Sequence, residues 1–163
     1  MPMIVETVAK SSHAFPDFDR IAVTRGPGSF TGVRVGLAAA RGIGLATGKP
    51  VIGIDRFAVY RALHPGGNLL AVIDSKRAEL FCKFFPASGA AHEACLMTEP
   101  QITEFLAAHP ETAVAGDLAS SNDDAVACCA LLAAQADAQN PDFQPQPLYL
   151  RAPDVTLSSA ISR

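Results

Sequence analysis

Clustered positive charge is the first thing this sequence lacks. Its 13 lysines and arginines are scattered among 16 acidic residues, for a net charge of −3. Proteins that grip nucleic acid by themselves present a basic face. Any nucleic acid involved here is therefore expected to be held by a partner. The cysteines are equally unpatterned. Cys82, Cys95, Cys128 and Cys129 make no C-x-x-C pair, which argues against a structural zinc site and reads them as reduced thiols. The first ten residues lack a basic start followed by an apolar run, so no secretory signal is recognised. No stretch approaches 18 uninterrupted apolar residues, so no spanning helix is expected. A soluble cytoplasmic protein with no membrane contact is the natural inference.

Familiar catalytic signatures are missing too. His92-Glu93 is followed by Ala94, Cys95 and Leu96, so the second histidine of a zincin helix is absent. His13, His64, His92 and His109 include no pair four residues apart. A nucleophile elbow centred on Ser29 fails on both sides, because Pro27 and Thr31 take its glycine positions. No catalytic residue and no metal ligand is assigned.

What is present is core material. Hydrophobic residues make up 49% and charged residues 18% of 163, which excludes a disordered composition and suits one domain or two small lobes. Met1, Ile4, Val5 and Val8 fall on one face of a helix ending near Ala9. Ile21–Thr24 reads as a short buried strand, and Val33–Thr47 as a helix stopped by Gly48, Lys49 and Pro50. Val51–Ile54 is the next strand, and Asp55 can cap a helix over Arg56–Leu63. Strands alternating with helices predict a parallel sheet. The texture changes after His64-Pro65-Gly66-Gly67. Strands are expected at Leu69–Ile73, Glu79–Phe85 and about His92–Met97. A helix follows over Pro100–Ala108, then a strand at Thr112–Ala115, a helix over Asp123 to about Ala138, and an extended Pro147–Arg151. Both faces of Glu79–Phe85 are largely apolar, so both are expected to be covered. The boundary between lobes is placed near residues 65–68, dividing the chain into 1–66 and 67–163. The first lobe would repeat the element order of the second if three strands preceded Met1.

The most informative segment is GPGSFTG, Gly26 to Gly32, between a strand and a helix. Gly26, Gly28 and Gly32 permit backbone angles denied to other residues. Ser29 or Thr31 can cap the following helix, whose free N–H groups could hold an anion. The loop is not a Walker A motif, since it lacks G-K-[ST]. It also misses the dinucleotide fingerprint, its third glycine coming one residue late. A tight turn with no ligand remains open beside the anion loop. In the helix, Gly32, Gly36, Ala40 and Gly44 recur every four residues, flanked by Val33, Leu37 and Ile43. Glycine inside a helix costs up to about 1 kcal/mol against alanine, so close approach of another backbone is expected. That neighbour is the sheet of the same lobe or a partner's helix, and both hold if different edges of the stripe are used.

RIAVTRGPGSFTGVRVGLAAARGIGLATGKPVIGID, Arg20 to Asp55, closely resembles the TsaB (YeaZ) family, once labelled glycoprotease-like. Met1–Ala9 looks like the end of that family's first helix, Leu69–Phe85 like its strand pair opening the second lobe, and Pro147–Asp154 like its C-terminal segment. The resemblance implies an α/β fold of two ribonuclease-H-like lobes, of the actin, Hsp70 and sugar-kinase group. It implies a non-catalytic subunit that supports a TsaD-like protein in threonylcarbamoylation of a tRNA adenosine. A TsaE-like ATPase would be a further component, and tRNA would be met only indirectly. TsaB-like proteins pair with themselves or with TsaD through first-lobe helices. By resemblance the interface here is Met1, Ile4, Val5, Val8, Val33, Gly36, Leu37, Ala40 and Gly44, with a homodimer expected in isolation.

The family opens with a strand ending in an Asp-Thr-Ser-like turn and a hairpin, and this sequence carries neither. The first strand is central in such a lobe, so Ile21–Thr24 is expected to lack a neighbour on one side, an edge that invites pairing. Related kinases hold phosphate at the absent turn, which weighs against ATP or ADP as a cofactor. Asp74, followed by Ser75-Lys76 instead of glycine, and Gly116-Asp117 resemble degraded phosphate and adenosine turns of the wider group. The alternative function is a small nucleotide-dependent enzyme, ATPase-like or kinase-like, using Gly26, Gly28, Ser29, Thr31, Gly32, Asp74 and Gly116.

Overall fold

The computed structural model describes residues 2–118 and 124–151. Met1, the expected helix start at Asp123, and the end of the 147–154 segment lie outside the described residues. In order, the elements are α1 (Pro2–Lys10), β1 (Ile21–Thr24), α2 (Phe30–Thr47), β2 (Val51–Ile54), α3 (Arg56–Leu63), β3 (Asn68–Ile73), β4 (Glu79–Phe85), β5 (Cys95–Thr98), α4 (Glu99–Ala108), β6 (Thr112–Gly116) and α5 (Ala125–Gln135).

Local chemistry sets most of these limits. The Ser29 side chain accepts from the Gly32 N–H at 3.2 Å, so α2 starts three residues before the apolar periodicity suggests. Gly48 ends it in the left-handed region at φ +67°. Asp55 caps α3 by accepting from the Phe57 N–H at 2.8 Å. The Gln101 side chain reaches back to the Thr98 N–H at 2.8 Å, which draws the start of α4 to Glu99. α5 stops at Gln135, short of Ala138, because Ala136 is extended and the Asp137 carboxylate accepts from the Gln139 N–H at 2.9 Å. A side chain that bonds its own backbone competes with the helix. β5 begins at Cys95, later than the sequence suggests, where its ladder with β4 opens opposite Cys82.

Two sheets result. β1 and β2 pair in parallel, Ile21 opposite Val51 through Thr24 opposite Ile54, and β1 has no other strand beside it among the described residues. The second sheet has the order β5-β4-β3-β6, with β3 antiparallel to β4 and parallel to β6. Both faces of this sheet are covered. Leu69, Ala71, Ile73 and Phe81 pack with Phe57 and Tyr60 of α3. Leu70, Val72, Leu80, Cys82 and Phe84 pack with Ile102 of α4. α5 turns back to the first sheet, where Cys128, Cys129, Ala133 and, just past its end, Ala136 close over Ile52 and Ile54. Arg20 fastens that helix end by donating to the carbonyls of Ala133 at 2.7 Å and Ala136 at 2.9 Å. Each sheet is thus covered by a helix from the other part of the sequence. Among the described residues no helix is long and apolar enough to cross a membrane.

Candidate functional site

Three turns meet around Arg56. The first is the start of the glycine loop. Gly26 has φ +109°, a region that favours glycine, and its carbonyl accepts from the Arg56 N–H at 2.8 Å. The Arg56 guanidinium donates to the Pro27 carbonyl at 3.2 Å, to the Tyr60 hydroxyl at 3.1 Å and to Oδ1 of Asp117 at 2.8 Å. Tyr60 also donates to that oxygen at 3.3 Å. Asp117 belongs to the second turn, after β6. Its Oδ2 accepts from the Asp74 N–H at 2.9 Å, which joins the third turn, after β3. Asp74 in turn accepts from the backbone N–H and the ammonium of Lys76, each at 2.6 Å.

Gly116 is the position the geometry cannot change. Its φ is +116°, and a Cβ there would collide with the Val72 carbonyl across the β3–β6 ladder. That closeness lets the Asp117 N–H donate to the same carbonyl at 2.9 Å and sets the carboxylate in front of Arg56.

Electrostatically the site is closed on itself. Burial pulls the Arg56 pKa down, but the neighbouring Asp117 charge and Tyr60 outweigh it and leave the net shift upward. The hydrogen bond from Lys76 holds the Asp74 carboxyl below its ordinary value, and Lys76 is raised by the same bond. The cations of Arg56 and Lys76 each face an acid. The Gly32 N–H at the head of α2 is taken by Ser29. Among the described residues no three of His, Cys, Asp and Glu gather as metal ligands.

The structure therefore draws Gly26, Gly28, Asp74 and Gly116 to one place. Ser29 serves as a helix cap, while Thr31 is exposed in the first turn of α2. Arg56 and Tyr60 join the site without having been singled out in the sequence. The available signal was their i, i+4 spacing directly after the Asp55 cap.

The helices expected at an interface divide differently. On α1, Ile4 and Val8 are half-buried and Val5 is exposed. On α2, Leu37, Ala40 and Gly44 are buried within the chain, whereas Val33 and Gly36 are half-buried. A Cβ on Gly44 would strike Val51 of β2, but nothing lies within 4 Å of one on Gly36 or Gly42. The chain's own sheet thus takes the inner edge of the stripe. The outer surface carries apolar side chains open to solvent, with Leu45 89%, Met3 75%, Val35 63% and Val5 52% exposed. The tail lies over the near end of α2. Tyr149 stacks on Phe30 at 5.3 Å and accepts from Nε of Arg34 at 2.7 Å, and Arg41 donates to the Pro145 carbonyl.

Comparison with solved structures defines the class. YeaZ from Pseudomonas aeruginosa superposes with a TM-score of 0.62 at 19% identity, over 91% of this chain and 82% of that one. The chain thus has the mixed α/β fold of that protein. A family model described as TsaD, tRNA N6-adenosine threonylcarbamoyltransferase, matches residues 1–83. The tRNA threonylcarbamoyladenosine biosynthesis protein TsaB of Haemophilus influenzae is 41% identical over 85 residues, 50% of this chain and 36% of that protein. An uncharacterized protein of Mycobacterium tuberculosis is 31% identical over 158 residues, 94% of this chain and 74% of its own length. The chain belongs to the TsaD family that this model describes, and its curated relatives include TsaB proteins. It spans about a third of the length of the Haemophilus TsaB that it matches.

Proposed function

We propose that this chain is a non-catalytic partner subunit that supports a TsaD-like protein in threonylcarbamoylation of a tRNA adenosine. The observation that carries the reading is the set of exposed apolar side chains on α1 and α2. Leu45, Met3, Val35 and Val5 stand in water there, and large apolar side chains exposed on neighbouring elements of the family's interface are candidates for burial by a partner. Family membership supplies the kind of partner, through relatives named for tRNA threonylcarbamoyladenosine biosynthesis.

The finer parts belong to the same reading. Residues 1–66 and 67–163 form two lobes, with α3 and α5 packed across the boundary. The interface takes Ile4, Val5 and Val8 of α1 and the outer edge of α2. The same surface serves a homodimer when the partner is absent. A TsaE-like ATPase joins the assembly, tRNA is contacted through the partner, and the setting is the cytoplasm. The nucleotide-dependent enzyme finds less support, because Arg56 and Asp117 satisfy each other where three turns meet.

Light scattering after size-exclusion chromatography tests the proposal, on the chain alone and mixed with a TsaD-like protein from the same source. A one-to-one complex is expected. Leu45→Asp, on an exposed site, should leave the far-UV circular dichroism unchanged and weaken the complex about tenfold or more, since a desolvated charge at an interface costs well over 1.4 kcal/mol. Failure of the unaltered chain to bind would sink the subunit reading. A complex indifferent to Leu45→Asp would move the interface away from α2.

A further inference from the structure

A cavity of about 380 Å³ lies at the carboxyl ends of β1 and β2, and neither Arg56 nor Asp117 lines it. That volume falls in the range of small-molecule sites. In open α/β sheets ligands bind outside the carboxyl ends of parallel strands. Arg25, directly after β1, and Asp55, directly after β2, both line the cavity. Gln135 and Asp142 add polar groups, and Leu132 and Phe143 form apolar wall.

Arg25 is the unusual member. Its Nε is buried and has no hydrogen-bond partner among the described residues. Among the described residues no side-chain hydrogen bond or ion pair engages its guanidinium. That nitrogen is closed to solvent while the residue as a whole is half-buried, so a ligand would meet the guanidinium through its other nitrogens. Asp55 is close enough for the Arg25 charge to act on it, and burial pushes its carboxyl above the ordinary value. Yet the two do not close into an ion pair. Opposite charges thus line one cavity.

We infer that this cavity binds a free α-amino acid, its carboxylate on Arg25 and its ammonium on Asp55. A lone anion would face the carboxylates of Asp55 and Asp142, and a lone cation would face the guanidinium. A zwitterion satisfies both walls at once. Gln135 can serve either end, because its amide donates and accepts. Leu132 and Phe143 leave an apolar place for a small side chain. The site is independent of the surface proposed for the partner subunit.

The test is binding of the twenty common L-amino acids to the full chain, one at a time. It is followed by thermal shift and by amide chemical-shift changes at Arg25, Asp55 and Gln135. Acetate and methylammonium serve as single-charge controls. At least one amino acid should raise the melting temperature and move those three amides, and neither control should do so at the same concentration. Arg25→Gln and Asp55→Asn should each weaken binding about tenfold or more, the scale of a lost charged hydrogen bond. Asparagine retains the helix cap at position 55, so that variant is expected to fold. If no amino acid moves these amides in the unaltered chain, the inference fails, whatever the variants do. Binding of acetate as strong as that of any amino acid would also overturn it, as would binding that both variants leave intact.

Discussion

β1 and β3 look alike in sequence. Each is a short apolar run that pairs in parallel with a later strand, IAVT with VIGI and NLLAVI with TAVAG. Their surroundings differ. β3 has strands on both edges and packed side chains on both faces, and all of it beyond Asn68 is buried. β1 has a strand on one edge, with Ile21, Ala22 and Val23 only half-buried and Thr24 exposed. An apolar run records that a strand is suited to a sheet interior. It does not record how many neighbours arrive.

The sharpest way to break the comparison is to truncate one side chain in each strand. Leu69→Ala in β3 should cost about 2–5 kcal/mol, as for other fully buried leucines. Val23→Ala in β1 should cost about 1 kcal/mol, because half of that side chain already meets water. Urea unfolding at two protein concentrations measures both. Equal losses would mean that something else covers β1. If the β1 loss also grew with protein concentration, the cover would be a second copy pairing with the open edge.

The sequence was most legible where punctuation is local. Ile21–Thr24, Val51–Ile54, Arg56–Leu63 and Glu79–Phe85 have the limits read from Gly, Pro and Asp signals around them. The two apolar faces of β4 were also legible, and both are covered as the alternation requires. Less legible was anything that depends on meeting a distant segment. Arg56 and Asp117 are 61 residues apart, and nothing in either neighbourhood announces the other. The return of α5 onto the first sheet was equally invisible, because an Ala-rich helix fits against almost any apolar surface. The glycine stripe predicted a neighbouring backbone, whereas the nearest atom to a Cβ at Gly44 is a side-chain methyl of Val51. It did not show that Val51 uses Gly44 while Gly36 and Gly42 stay open.

A double-mutant cycle on Arg56→Met and Asp117→Asn addresses the contact that links the turns of the two sheets. The side chains are 25% and 32% exposed, so solvent weakens the pair. A coupling energy of about 1 kcal/mol is expected from urea unfolding. Each single variant should cost more than the coupling, since Arg56 also serves Pro27 and Tyr60 and Asp117 also serves Asp74. Zero coupling would remove Arg56 as the tie between the turns.

The smallest effects separate two edges of one helix. Gly36→Ala and Gly42→Ala add a methyl group to open space in α2, so each should stabilise the isolated chain by up to about 1 kcal/mol through helix propensity. Gly44→Ala should destabilise it, because Val51 would have to move. Thermal melts of the three variants check the signs. The same variants sharpen the functional reading. If a partner's backbone packs against the outer edge, alanine at 36 or 42 should raise the stability of the free chain and weaken the complex. Opposite signs in those two measurements are what a helix with glycines kept for a partner would give. Matching signs would leave the two glycines without a binding role, and the outer surface would then rest on Leu45, Val35 and α1 alone.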